Sequence, residues 1–219
     1  MVQPKTRNRI IDALMALAAE RRWEDVTLEA LADRAGVSLV ALSAAYESRF
    51  EVLADFVRRI DERVLAGIDP DMADEAPREK LFDVLFSRLE ALKPYRQAIR
   101  NIGAGARRDP LMMLELNRMA TGSMAWMLTA AGIAATGSKG IVRAQGLAMV
   151  WARVLRVWLD DDDPGLARTM AELDKRLRQA ERTIIRLERL ARIVCGPRPP
   201  RRGAQRPSDE SDVAEGHPS

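Results

Sequence analysis

The chain contains one histidine, His217, and one cysteine, Cys195. A single imidazole in a proline-rich, charged carboxy-terminal stretch gives no His-based triad and no His-rich metal site. Cys195 closes an apolar periodic segment and reads as a small hydrophobe; one cysteine cannot form an internal disulfide. The run Asp160–Asp163 offers carboxylates for Ca²⁺ but lacks the spaced ligands and terminal Glu of an EF-hand loop, so it reads as a helix stop. GAGA at 103–106 has no strand before it and no lysine in register, so it is no phosphate loop. The sequence therefore predicts no catalytic residue, no metal and no cofactor: this chain is not expected to be an enzyme.

The remaining chemistry is that of binding. Met112, Met113, Met119, Met124, Met127, Trp126, Trp151 and Trp158 form a soft, adaptable set at helical spacing. Core packing explains such a set, and so does a cavity for a small apolar ligand between helices. The residues expected to line that cavity are Phe82, Phe86, Met112, Met119, Trp126 and Trp151.

A second set lies near the start. Lys5, Arg7 and Arg9 form a basic arm free of acids, and Arg49 follows the segment TLEALADRAGVSLVALSAAYESRF, residues 27–50. In that segment Leu28, Leu31 and Ala32 recur at helical spacing, Gly36 interrupts, and Leu42 and Tyr46 resume the stripe. Thr27 and Ser38 suit the N-caps of two short helices, and Gly36 suits a left-handed C-cap between them. This is helix-turn-helix geometry. Ser48 and Glu51 form a capping box for a long third helix carrying Leu53, Val57, Ile60 and Val64 on one face.

The elements that position these residues are helical throughout. Ile10, Leu14, Leu17 and Ala18 share one face of a first helix, Lys5 to Arg22. Pro77 opens a helix with Leu81, Leu85, Leu89 and Leu92 aligned; a short helix spans Tyr95 to Ile102; Asp109-Pro110 starts another that ends near Gly132. The helix Ser138–Leu159 is apolar on more than one face, as expected of an element buried on two sides. The last helix, Pro164–Val194, repeats apolar residues at 4-3-4-3 spacing through Leu166, Met170, Leu173, Leu177, Ala180, Ile184, Leu187, Ala191 and Val194, a coiled-coil-like seam. A homodimer through these last two helices is expected. No segment alternates with period two, so the fold class is all-α: a three-helix amino-terminal domain, residues 1–67, a six-helix bundle, 68–195, and a disordered tail, 196–219.

With 219 residues, 47% hydrophobic and 31% charged, the chain can bury a sizeable core, and its balance indicates neither a disordered nor a membrane class. It has no apolar run of about 18 residues and no secretory h-region, which predicts a cytoplasmic protein. Net charge is +3, yet residues 1–67 hold ten Lys or Arg against eleven Asp or Glu. That is a weak basic footprint for a nucleic-acid binder.

The stretch TRNRIIDALMALAAERRWEDVTLEALADRAGVS, with Leu42, Tyr46, Ser48 and Arg49, resembles the amino-terminal domain of TetR-family transcriptional regulators. The resemblance implies a homodimer that binds double-stranded DNA and responds to a small apolar ligand held in the bundle. On that reading the helix Ser38–Tyr46 lies in the major groove with Leu39, Val40 and Ala44 against base edges, while Ser43, Thr27, Arg49 and the basic arm Lys5, Arg7 and Arg9 meet phosphates. Here the second helix of the motif departs from the family's pattern, being nearly all apolar. A shorter likeness, at Trp158-Leu-Asp-Asp-Asp-Asp-Pro with Thr169, Leu173, Asp174 and Leu177, is to the TetR-fold lipid-binding accessory proteins of ubiquinone biosynthesis. That alternative implies an isoprenoid or lipid in the same bundle and no specific DNA binding.

Overall fold

The structure is a computed structural model and describes residues 3–69, 72 and 74–195, with side chains to Thr183. Among the described residues there are nine α-helices and no strand. The expected disordered tail, 196–219, lies outside them.

Four α-helices and a 3-10 turn make the head, the first helix preceding the two of the helix-turn-helix and the long helix after them. Helix α1, Pro4–Glu20, buries Ile10, Leu14, Leu17 and Ala18 as its periodicity predicts. A 3-10 turn at Trp23–Asp25 drops Trp23 into the core. Helix α2, Leu28–Ala35, is capped by Thr27, whose hydroxyl accepts from the Ala30 amide at 3.2 Å. It ends at Gly36 with φ 63° and ψ 43°, a left-handed conformation that costs glycine nothing. Ser38 then caps α3, Leu39–Ser43, only five residues long. Helix α4, Arg49–Ala66, begins at Ser48, which accepts from the Glu51 amide; Glu51 reaches back to the amide of Glu47, one residue earlier than the usual box.

The bundle consists of α5 (Pro77–Leu92), α6 (Arg96–Ala106), α7 (Pro110–Ala130), α8 (Gly137–Leu159) and α9 (Ala167–Cys195). Helix α6 runs through GAGA, past the expected end at Ile102. A Cβ at Gly105 would stand 3.1 Å from the Trp23 Cβ, so a missing side chain lets α6 close over the head's tryptophan. Helix α1 packs on both α2 and α6, and α4 on both α5 and α7. One continuous core therefore joins head and bundle. The chain forms two compact units, Met1–Arg182 and Thr183–Ser219; the cavity and the helix-turn-helix described below belong to the first.

The described side chains cover part of the expected 4-3-4-3 seam. Leu166, Leu173 and Leu177 are buried inside the protomer, whereas Ile184, Leu187, Ala191 and Val194 lie beyond the described side chains. The 4-3-4-3 pattern over the described part thus records intramolecular packing, and a heptad cannot by itself distinguish a partner chain from the chain's own bundle.

Asp160–Asp163 form the turn between α8 and α9. Asp161 accepts from the Thr169 amide (2.9 Å) and hydroxyl (2.6 Å), Asp163 accepts from Ala167, and Asp160 pairs with Arg100 at 2.8 Å. Arg96 donates to the carbonyls of Trp158, Leu159 and Asp161 and lies 5.5 Å over the Trp158 ring. In this chain the Trp158–Thr169 segment is a helix-to-helix joint closed by capping.

Candidate functional site

A cavity of about 290 Å³ opens between α1, α4, α5, α6, α7 and α8. Its wall is mainly apolar, built from Leu53, Phe56 and Ile60 of α4, Ile102 of α6, Met119 of α7 and Trp151 of α8, with Met15 from α1. Such a void between helices is the ordinary form of a small-molecule site. Two arginines on its wall, Arg107 and Arg156, are exposed, and no ion pair among the described residues holds either.

The third arginine on the wall is different. Arg88 and Asp61 are 4% and 7% exposed, and the guanidinium donates through Nη1 to Asp61 Oδ1. Ser123, also buried, donates its hydroxyl to the same oxygen at 2.8 Å. The guanidinium lies 5.4 Å from the Trp151 ring centre. Burial lowers the Arg88 pKa, against the opposing pull of Asp61. Its Nε has no acceptor. The other polar wall residue, Asn117, is satisfied by a reciprocal amide pair with Gln145 at 2.9 and 3.1 Å.

Of the six expected lining residues, Met119 and Trp151 stand on this wall. Met112 is buried elsewhere, its sulfur 3.5 Å from where a Gly105 Cβ would lie. Phe82 and Phe86 stack on each other at 6.4 Å, with Phe82 beside a surface groove near Met170, and Trp126 is 60% exposed on α7. The sequence reading followed residue size and missed which face each occupies. It also missed Arg88, although a signal existed: Arg88 falls on the Leu81, Leu85, Leu92 stripe, as Asp61 falls beside Ile60 and Val64, and a charge inside an apolar stripe marks a buried pair.

The head's DNA candidates are mostly engaged. Thr27 and Ser38 cap helices, and Ser43 donates its hydroxyl to the Val40 carbonyl at 3.1 Å. Arg49 donates to the carbonyls of Trp23 and Val26, both at 2.7 Å, and stacks 4.7 Å over Trp23; burial lowers its pKa. Arg7 lies 5.3 Å over the Tyr46 ring and 3.7 Å from Asp55, which also receives the Tyr46 hydroxyl at 2.7 Å. Lys5, Leu39, Val40 and Ala44 are exposed, Val40 at 78%.

A helical head with a helix-turn-helix, continuous with a helical bundle that holds a cavity, defines a class: the fold of TetR transcriptional regulators. Solved structures bear this out. A TetR transcriptional regulator from Nitrosomonas europaea matches with a TM-score of 0.64 and 21% identity over 82% of this chain and 99% of that one. One from Rhodococcus sp. RHA1 matches at 0.56 and 21% identity over 80% and 96%. A TetR-family regulator from Streptomyces coelicolor matches at 0.50 and 11% identity over 90% and 100%. No family model matches the sequence, and no curated protein does. The chain has the TetR-regulator fold.

Proposed function

We propose that this protein is a homodimeric transcriptional regulator whose head binds double-stranded DNA and whose bundle takes a small apolar ligand. One observation carries the reading: the cavity wall is shared between bundle helices and the head's own α1 and α4. An occupant that bears on Leu53, Phe56 and Ile60 bears on the helix that follows the helix-turn-helix directly. Differential contact with two positions of α4 is what ligand control requires. Residues 1–67 serve as the head and 68–195 as the ligand and dimer part. The protein acts in the cytoplasm and needs no catalytic group. A mobility-shift titration with the DNA flanking its own gene tests this, with and without an apolar ligand.

The dimer surface in this proposal is carried mainly by α8. Val142 and Met149 are 70% and 63% exposed and lie on one face with Gly146, where nothing stands within 4 Å of an added Cβ. The outward face of α9 is polar, with Lys175, Arg178 and Gln179.

A second reading is supported by the head. Arg49 and Arg7 are held within the fold, and α3 presents Leu39, Val40 and Ala44. Direct readout needs donors and acceptors, which these side chains lack. A lipid-binding accessory protein of the ubiquinone-biosynthesis kind would use the same cavity without an operator. Absence of any DNA complex at low salt favours it.

A further inference from the structure

We infer that the cavity's occupant is a molecule with a neutral hydrogen-bond acceptor, of the carbonyl class, that meets the Arg88 guanidinium while its apolar body fills the space beside Trp151 and Phe56. This rests on the ligand reading above and specifies its chemistry. Arg88 is buried, lines the cavity and has no acceptor at its Nε, whereas the polar wall residue Asn117 both donates to and accepts from Gln145. A guanidinium has five N–H donors, and the contacts to Asp61 and Trp151 leave some free. Buried donors are normally satisfied, so a buried guanidinium with spare donors, on a residue that lines an apolar void, suits an acceptor carried by the occupant.

The charge state selects the acceptor. Arg88 is already neutralised by Asp61, whose Oδ1 also receives Ser123. A carboxylate brought to the same place would add an uncompensated buried charge, which is costly; a ketone, ester or quinone oxygen would not. Arg107 and Arg156, exposed on the wall, are the alternative anchors for an anion, and they define the competing outcome.

The test compares 2-acetylnaphthalene, 2-ethylnaphthalene and 2-naphthoate by calorimetry and by melting of the full-length protein. The first two differ only in C=O against CH₂. The ketone is expected to bind about tenfold or more tighter than the hydrocarbon. In the paired variant Arg88→Met/Asp61→Leu, which removes both charges together, the preference should vanish while hydrocarbon binding remains. Equal binding of ketone and hydrocarbon to the native protein would overturn the inference and leave the apolar cavity standing. Tighter binding of the carboxylate would overturn it in favour of an anion held by Arg107 and Arg156. Binding of none of the three would overturn both this inference and the ligand reading.

Discussion

At the scale of single residues, the arginines separate by what they touch. Arg49 has the sequence position of a phosphate ligand, but its two carbonyl bonds and its stacking on Trp23 make it a strut between the 3-10 turn and α4. Hydrogen bonds to a charged group contribute about 1.5–3 kcal/mol each. Arg49→Ala should therefore destabilise the protein by about 2 kcal/mol in urea titration; an unchanged midpoint would return Arg49 to the DNA face. Arg88→Ala strands Asp61 in the core and should cost about 3–5 kcal/mol, while Arg88→Met/Asp61→Leu should cost much less. Asp161 is a third case. The Thr169 hydroxyl bond, the largest cause, holds its carboxyl below the usual range. The stability it contributes is complete above the ordinary carboxylate pKa and is lost as pH falls through the lowered value. Melting of Asp161→Asn against the native chain should show its widest gap at neutral pH, closing below about pH 4. A gap that widens with acid would contradict the assignment.

At the scale of elements, helices and caps were legible in the sequence because they depend on local chemistry. Thr27, Gly36, Ser38 and Ser48 occupy the expected caps, and the apolar stripes of α1 and α4 are buried as their spacing requires. Partner identity was not legible. The 4-3-4-3 pattern of α9 is satisfied by the protomer's own core at Leu173 and Leu177, and periodicity states which face is apolar without stating what covers it. The reach of α6 through Gly103 and Gly105 was likewise hidden, since a glycine pair reads locally as a break and only the Trp23 contact explains it. The cavity was half legible. Met119 and Trp151 line it, but α4 contributes much of the wall and looked from its stripe like plain core. For α3 the consequence is quantitative. A good bidentate base contact gives about 1–3 kcal/mol of discrimination, and Leu39, Val40 and Ala44 can make none. Filter binding to unrelated sequences should then differ little, fall steeply with salt, and be insensitive to Ser43→Ala.

At the scale of the whole molecule, the proposed dimer and the proposed ligand response make separable demands. Val142→Asp/Met149→Asp alters exposed positions of α8, so it should yield monomers in sedimentation with melting little changed. Leu173→Asp/Leu177→Asp places charge in the protomer core and should unfold the chain instead of merely dissociating it. If the α8 variant remains dimeric, the interface lies elsewhere.

The central claim, that one cavity shared by α1, α4 and the bundle governs a DNA-binding head, is tested most directly by a mobility-shift titration of the folded protein. The probe is the DNA flanking its own gene, examined from low to physiological salt with and without 2-acetylnaphthalene. The expected result is a complex at low salt that the ligand shifts by at least several-fold in protein concentration. A folded protein that forms no complex at any salt would contradict the claim and leave the lipid-binding reading in its place.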